Sequence, residues 1–278
     1  MKIDAHQHFW DYDANPGDFT WMGPAEEPIR RNFLPADLEP LLDATGYDGT
    51  VAVQARELKA ETDFLLGLAA ANPRIKGVVG WLDLCAPDVE RDLDGYRGTP
   101  LLKGFRMLVH DHPDVGFAAS DAHVRGVGLL ERYGFTYDLL LKPPHLKAAI
   151  ALVDRLPNQK FVVDHIAKPA IDGHFTAEWR DGIEAIARRP NVWCKLSGLV
   201  TLPGAMPARR ADFHPYLDLV LEAFGAGRCM IGSDWPVATC GADYAGTMAI
   251  VEGWSERLAA PERAAVLGGN CAAFYGLS

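Results

Sequence analysis

The chain has 278 residues, of which 49% are hydrophobic and 23% charged, and its formal net charge at pH 7 is -10. This length suits one barrel-sized domain with a large apolar core, and no linker or internal repeat divides the sequence. The acidic balance disfavours a nucleic-acid partner, because phosphate binding requires a basic face.

Targeting signals and paired cysteines are both missing from the sequence. No stretch approaches the about 18 consecutive apolar residues of a membrane span, and Met1 and Lys2 lead directly into the first predicted strand. The five cysteines are odd in number and lack the close paired spacing of a zinc knuckle or a redox motif. We therefore expect a soluble, cytoplasmic protein with free thiols and no membrane partner.

Short apolar runs rich in β-branched residues recur along the chain and predict strands. In chain order they cover residues 3–8, 50–54, 77–82, 101–106, 135–141, 160–165, 191–196 and 229–234. The segments between them are predicted to be amphipathic helices, such as residues 35–44 and 144–156, with glycine or proline near their ends. Strands that alternate with helices in this way predict a single parallel (β/α)8 barrel of the TIM type, formed by residues 1–278.

In such a barrel the carboxyl ends of the strands carry the chemistry. His6 and His8 end the first predicted strand, and because side chains repeat every two residues along a strand, both imidazoles project to the same side. His165 ends the sixth predicted strand and Asp234 ends the eighth. These four groups predict a metal-binding or proton-transfer site. The alternative for each histidine is a hydrogen-bonded place in the core.

Other charged side chains lie at or near the strand ends. Arg56 follows the second predicted strand, Arg106 ends the fourth, and Lys103 lies three residues before it. Each arginine either contacts a substrate or pairs with Glu57 or Asp138 at the barrel rim, and Lys195 in the seventh strand can equally lie in a structural ion pair. Asp138 stands inside an apolar run, so burial requires that it be paired or hydrogen-bonded.

Several motifs together resemble a known family. The H-x-H of residues 6–8, the histidine at 165 and the Ser-Asp-Trp-Pro of residues 233–236 resemble the amidohydrolase superfamily, in the branch called amidohydrolase 2. Four further segments are similar to the sugar-lactone hydrolases of that branch, above all to those that act on L-fuconolactone. These segments are residues 21–42, 53–55, 103–106 and 164–169. The resemblance covers essentially the whole chain, and the combination is specific although H-x-H alone is not.

The resemblance implies hydrolysis of a small-molecule sugar lactone, either L-fucono-1,5-lactone or a related 6-deoxy or pentonolactone. Such a reaction needs an activated water, a donor for the developing oxyanion and a proton for the leaving ring oxygen. Asp234 is the candidate base, and His165 is the candidate donor to the carbonyl. Candidate substrate-binding residues are Trp21, Arg56, Lys103, Arg106, Asp138 and Trp235.

His6, His8 and Asp234 can also hold one divalent metal ion, for which zinc is the expected element. Metal-dependent relatives usually add a histidine or a bridging lysine from the middle strands, and the fifth strand here offers Asp138 instead, so a two-metal site is not expected. Because a lactone is easier to hydrolyse than an amide, the metal is expected to be dispensable.

Two other functions are alternatives to lactone hydrolysis. A metal-dependent decarboxylase of the same superfamily would need a firmly bound metal and an aromatic carboxylate as substrate. A non-enzymatic binding barrel would require the convergence of the four strand-end groups to be a coincidence. The sequence does not specify an oligomeric state.

Overall fold

The computed structural model describes residues 1–206 and 209–277 of the chain. Within these residues, parallel strands lie side by side in chain order around one sheet. They are β1 (Ile3–Gln7), β2 (Gly49–Val53), β3 (Ile75–Gly80), β4 (Leu102–Met107), β5 (Thr136–Leu139), β6 (Phe161–Val163), β7 (Val192–Leu196) and β8 (Cys229–Ile231). The predicted (β/α)8 barrel is confirmed.

Helices connect the strands and cover the outside of the sheet. They are α1 (Pro35–Thr45), α2 (Lys59–Ala71), α3 (Val89–Gly95), α4 (Asp121–Tyr133), α5 (Leu146–Arg155), α6 (Ala177–Ala187), α7 (His214–Phe224), α8 (Tyr244–Trp254), α9 (Ala260–Ala264) and α10 (Asn270–Tyr275). The helix predicted from residue 144 begins at Leu146, because Pro143–His145 form a separate 3-10 turn. In the described part of the chain, no helix has the length and apolar character needed to cross a membrane.

The barrel interior is apolar in the half away from the carboxyl ends of the strands. A cluster of fully buried side chains comes from strands on opposite sides of the sheet, so these side chains meet inside the barrel: Ile3, Ala5, Val51, Val53, Val79, Val162 and Met230. Helix α10 closes the floor by packing Phe274 and Tyr275 against this cluster. The open end of the barrel, at the carboxyl ends of the strands, is therefore the end available for a ligand.

The sheet closes on itself where the segment after β8 meets the end of β1. The Asp234 N–H donates to the His6 carbonyl oxygen at 2.8 Å, and the His8 N–H donates to the Trp235 carbonyl oxygen at 2.7 Å. These two backbone bonds bring the H-x-H motif and the Ser-Asp-Trp-Pro motif together. We call this region the closing seam.

Asp4 holds the closing seam from outside the barrel. The register of β1 against β2 shifts after Asp4, and the Asp4 Oδ1 accepts hydrogen bonds from the His6 N–H at 3.1 Å and the Ser233 N–H at 2.9 Å. Its Oδ2 accepts from the Ser233 hydroxyl at 2.6 Å and the Tyr244 hydroxyl at 3.1 Å. Burial raises the pKa of Asp4 to about 6 although these bonds oppose the rise. One carboxylate thus joins both motifs.

Strands β6 and β8 are shorter than predicted because the chain turns sharply at the barrel mouth. Residues 165–168 have positive φ angles between 49° and 58°, and Asp234 has a φ of 63°. Left-handed conformations at non-glycine residues cost about 1–3 kcal/mol each and occur preferentially at functional sites. The turn after β6 is held by the Trp179 indole, which donates to the Ile166 carbonyl oxygen at 2.7 Å.

Candidate active site

Three ligand-type atoms converge at the closing seam. The His6 Nε2 lies 3.2 Å from the His8 Nε2, and the His8 Nε2 lies 3.2 Å from the Asp234 Oδ1. The His6 Nε2 to Asp234 Oδ1 distance is 3.7 Å. All three side chains are buried. The predicted meeting of the first and eighth strands therefore occurs within hydrogen-bonding distance.

The donor set of these three residues fits a metal ion. Two ligand atoms on a tetrahedral zinc with bonds of about 2.0–2.1 Å lie about 3.3 Å apart, which is close to the distances found here. The His8 Nδ1 lies 2.7 Å from the Val53 carbonyl oxygen, which can only accept, so this nitrogen carries the proton. The lone pair on the His8 Nε2 then faces the carboxylate oxygen of Asp234. Two acceptors at this distance require a cation or a proton between them.

His165 lies beside this cluster, with its ring 4.4 Å from the ring of His6. Its Nδ1 lies 2.9 Å from the Ser197 hydroxyl, and its Nε2 lies 3.8 Å from the Asp234 Oδ1. Burial lowers the pKa of His165 and of His6 well below the usual value, so both imidazoles are neutral near pH 7. Burial would raise the pKa of Asp234, but His165 and His8 outweigh it and keep that carboxyl ionised.

Arg106 connects the cluster to Asp164. Its Nη1 lies 3.1 Å from the Asp164 Oδ2 and 3.3 Å from the His6 Nε2, while its Nη2 donates to the Gln54 carbonyl and side-chain oxygens at 2.6 and 2.8 Å. Burial acts to raise the pKa of Asp164, and the charges of Lys195 and Arg106 together with His6 bring it well below the usual value. We did not single out Asp164 from the sequence, although it directly precedes His165 at a strand end.

A cavity of about 250 Å³ opens above the cluster at the barrel mouth. Its lining includes Trp21, His8, Arg106, His165, Lys168 and Asp234. Lys168 was absent from the predicted site, because the left-handed turn after β6 that carries it into the cavity has no clear sequence signal. The cavity therefore combines three carboxylates, of which Asp234 is one, with two cationic side chains and several imidazoles.

Three predicted substrate contacts do not reach this cavity. Lys103 is the second residue of β4, near the opposite end of the barrel, and its ammonium donates to the Gly276 carbonyl oxygen at 3.1 Å. Trp235 is turned behind the closing seam and packs against Phe33, with ring centroids 5.3 Å apart. Asp138 is fully buried beneath the cluster. The strand position of each residue left the direction of its side chain undetermined.

Arg56 lines a separate depression next to the cavity, which has a volume of about 550 Å³ and shares Trp21 as a wall. Its guanidinium is paired with Asp18 at 2.9 Å and with Glu61 at 2.6 Å. Arg56 therefore has rim ion pairs, as in the alternative for this residue, but with Asp18 and Glu61 instead of Glu57 or Asp138. A direct contact with a ligand in the cavity is not indicated by this position.

The comparisons with known proteins agree with this geometry. A family profile described as Amidohydrolase matches residues 3–277. The chain belongs to the amidohydrolase family. This amidohydrolase is 41% identical to a Burkholderia multivorans protein named L-fucono-1,5-lactonase over 100% of this chain and 96% of that protein. It is 36% identical to a Burkholderia ambifaria protein of the same name, over 99% and 95% of the two chains.

Two crystal structures of an amidohydrolase from Burkholderia multivorans also match this amidohydrolase along the full length of both chains. They have TM-scores of 0.94 and 0.93 at 40% sequence identity, and the first contains HEPES while the second contains zinc. In this chain, His6, His8 and Asp234 form a group of ligand-type atoms that could hold a metal ion.

Gly198 provides a test of how closely the site is packed. A Cβ atom at Gly198 would lie 2.5 Å from the His165 Nδ1 and 3.1 Å from the Asp234 Oδ2, and the residue has a φ of 62°. Gly134 has a φ of 75° with nothing within 4 Å of its Cβ position, so it is a matched control. We expect Gly134→Ala to lower the free energy of unfolding by about 1–2 kcal/mol. Gly198→Ala should lower it clearly further, because a steric clash adds to the backbone cost.

Denaturant titration of the two glycine variants measures this difference. Equal losses would contradict the close packing of His165 against Gly198.

Proposed function

We propose that this amidohydrolase hydrolyses a sugar lactone, either L-fucono-1,5-lactone or a related 6-deoxy or pentonolactone, to the aldonic acid. The observation that carries the proposal is the 41% identity, over the whole chain, to a protein named L-fucono-1,5-lactonase. The polar cavity supports it, because Arg106, Lys168 and His165 suit a hydroxylated ligand better than an apolar one.

Asp234 is the base in this proposal. It is ionised and borders the cavity, so it can take a proton from a water molecule whose oxygen attacks the lactone carbonyl carbon. The bond between this carbon and the ring oxygen then breaks, and Asp234 returns the proton to the ring oxygen. Water and lactone together give the open hydroxy acid, which ionises and releases a proton into solution.

Donors around the cavity stabilise the negative charge that develops on the carbonyl oxygen. Arg106 and Lys168 supply positive charge, and His165 supplies an imidazole N–H when its Nδ1 accepts from the Ser197 hydroxyl. Trp21 forms one wall, and its indole is held by donation to the Ala55 carbonyl oxygen at 3.1 Å. Its ring face can cover the apolar side of a sugar.

His6, His8 and Asp234 are the residues that would hold a zinc ion. A bound zinc ion would supply Lewis-acid polarisation of the substrate. In our proposal the ion is dispensable, because Arg106, Lys168 and His165 already supply donors to the oxyanion.

A panel of substrates tests the proposed function. We expect the purified protein to release acid from 6-deoxy aldonolactones and pentonolactones much faster than from aliphatic esters or amides, since the cavity offers charged donors for sugar hydroxyls. A pH-indicator assay measures the rate. Turnover of no sugar lactone would refute the proposal, and release of carbon dioxide from an aromatic carboxylate would favour a decarboxylase.

Replacement of Asp234 tests its role as the base in this mechanism. Asp234→Asn keeps the shape of the side chain and removes the proton acceptor, so we expect kcat to fall by about 10²–10⁴-fold. Asp172→Asn is the matched control, because Asp172 is an exposed loop carboxylate outside the cavity lining. Full activity of the Asp234 variant on sugar lactones would show that Asp234 is not the base.

The metal proposal is tested by two separate measurements, one of zinc binding and one of turnover. We expect the protein to bind one zinc ion, His8→Asn to abolish this binding, and His174→Asn, at an exposed loop histidine, to preserve it. Metal analysis after gel filtration measures the stoichiometry. We also expect the chelated wild type to keep a substantial part of its activity. Activity in strict proportion to bound zinc would show that the metal is required.

A further inference from the structure

The depression beside the cavity has no role in the hydrolysis described above. Its volume of about 550 Å³ is more than twice the volume of about 250 Å³ found for the cavity. Both spaces are lined by Trp21, Ala55, Leu108 and Asp111, so they adjoin along a common edge. A ligand that reacts in the cavity can therefore extend past these residues into the depression.

The two volumes differ in the size of ligand that they suit. Sites for drug-sized molecules usually measure about 300–1,000 Å³. The cavity lies below this range and suits a single sugar ring, whereas the depression lies within it. The two spaces together therefore suit a sugar lactone that carries a second group of ring size or larger.

The half-buried side chains of the depression are mostly apolar. They are Trp21, Met107, Leu108 and Phe117. The Phe117 ring is fixed by its neighbours, because it stacks on the His112 ring with centroids 4.0 Å apart and lies 5.0 Å from the ring of His123. This apolar surface is preformed, and it can cover the apolar face of a sugar ring.

The exposed side chains of the depression include the carboxylates of Glu57 and Asp111. Asp111 is paired with Lys142 at 3.0 Å, and Arg56 already faces two carboxylates. Because Glu57 adds a further negative charge, the depression is negative overall. Carboxylates accept hydrogen bonds from hydroxyl groups and repel anions. The depression therefore suits a neutral hydroxylated group and disfavours a phosphate or a carboxylate.

We propose that the depression binds a neutral glycosyl group attached to the lactone, so that the protein hydrolyses a glycosylated aldonolactone with a higher kcat/KM than the unsubstituted one. The apolar side chains contact the face of the second sugar, and Glu57 and Asp111 accept hydrogen bonds from its hydroxyl groups. The bond that breaks is the same lactone ester, and the glycosidic bond stays intact. The proposal rests on the proposed function and specifies a class of substrate within it.

Glucosyl derivatives of L-fucono-1,5-lactone, substituted at O2, O3 or O4, test the proposal against the unsubstituted lactone. We expect at least one derivative to have a kcat/KM about 10-fold higher, the gain from burial of about 60 Å² of apolar surface. A pH-indicator assay measures the rates. A kcat/KM at or below that of the unsubstituted lactone for all three derivatives would overturn this proposal alone. Turnover of no sugar lactone, substituted or not, would refute the lactonase proposal as well.

Leu58→Arg tests whether the glucosyl group binds in the depression. Leu58 is 41% exposed and lines the depression but not the cavity. The carboxylates of Glu57 and Asp111 will attract an arginine at this position into the depression, where it blocks the second sugar. We expect the kcat/KM for the best glucosyl derivative to fall to the value for the unsubstituted lactone, and the latter value to stay unchanged.

Val115→Arg is the matched control, because it adds the same side chain at an apolar residue that is 52% exposed and lines neither space. We expect it to keep the advantage of the glucosyl derivative. Persistence of this advantage in Leu58→Arg, its loss in Val115→Arg, or equal losses for both substrates in Leu58→Arg would overturn the proposal.

A glucuronosyl derivative tests the charge of the second group. It differs from the best glucosyl derivative by one carboxylate, so the negative depression should give it a lower kcat/KM at low ionic strength. We expect added salt to narrow the difference, because salt screens the repulsion between exposed charges. A glucuronosyl derivative that reacts as fast as the glucosyl one at low ionic strength would overturn the assignment of a neutral group.

Discussion

Closure of the barrel between β1 and β8 is the constraint on which the candidate site depends. The seam is made by two backbone hydrogen bonds, and the Asp4 carboxylate accepts from both sides of it. Because the bonds join His6 to Asp234 and His8 to Trp235, the same interaction that closes the sheet sets the distances between the ligand atoms. The stability of the barrel and the geometry of the site therefore have one structural origin.

Beneath the seam, the middle of the barrel contains buried charges above its apolar floor. Lys195 lies between Asp138 and Asp164, and Arg106 pairs with Asp164 from the other side. Burial alone would lower the pKa of Lys195, and the two carboxylates outweigh it and raise the pKa above its usual value. Paired charges of this kind tolerate desolvation only in a fixed geometry. They consequently fix the orientation of His6 from below, as the seam fixes its backbone.

The strand positions of the site residues were predictable, but the directions of several side chains were not. For Lys103 and Arg106, three residues apart in β4, the two-residue repeat of a strand does predict opposite faces, and only Arg106 borders the cavity. Asp138 was expected to contact substrate and instead holds Lys195. Lys168 enters the cavity through four consecutive left-handed residues, which no local propensity favours.

The sequence by itself determined the barrel class and the strand ends on which His6, His8, His165 and Asp234 lie, because hydrophobic periodicity and the two-residue repeat of strands are local properties. Only the tertiary structure decided which charges face one another. The pairing of Lys195 with His6 joins residues 189 positions apart in the chain, and hydrogen-bond partners at such separations depend on how the sheet closes.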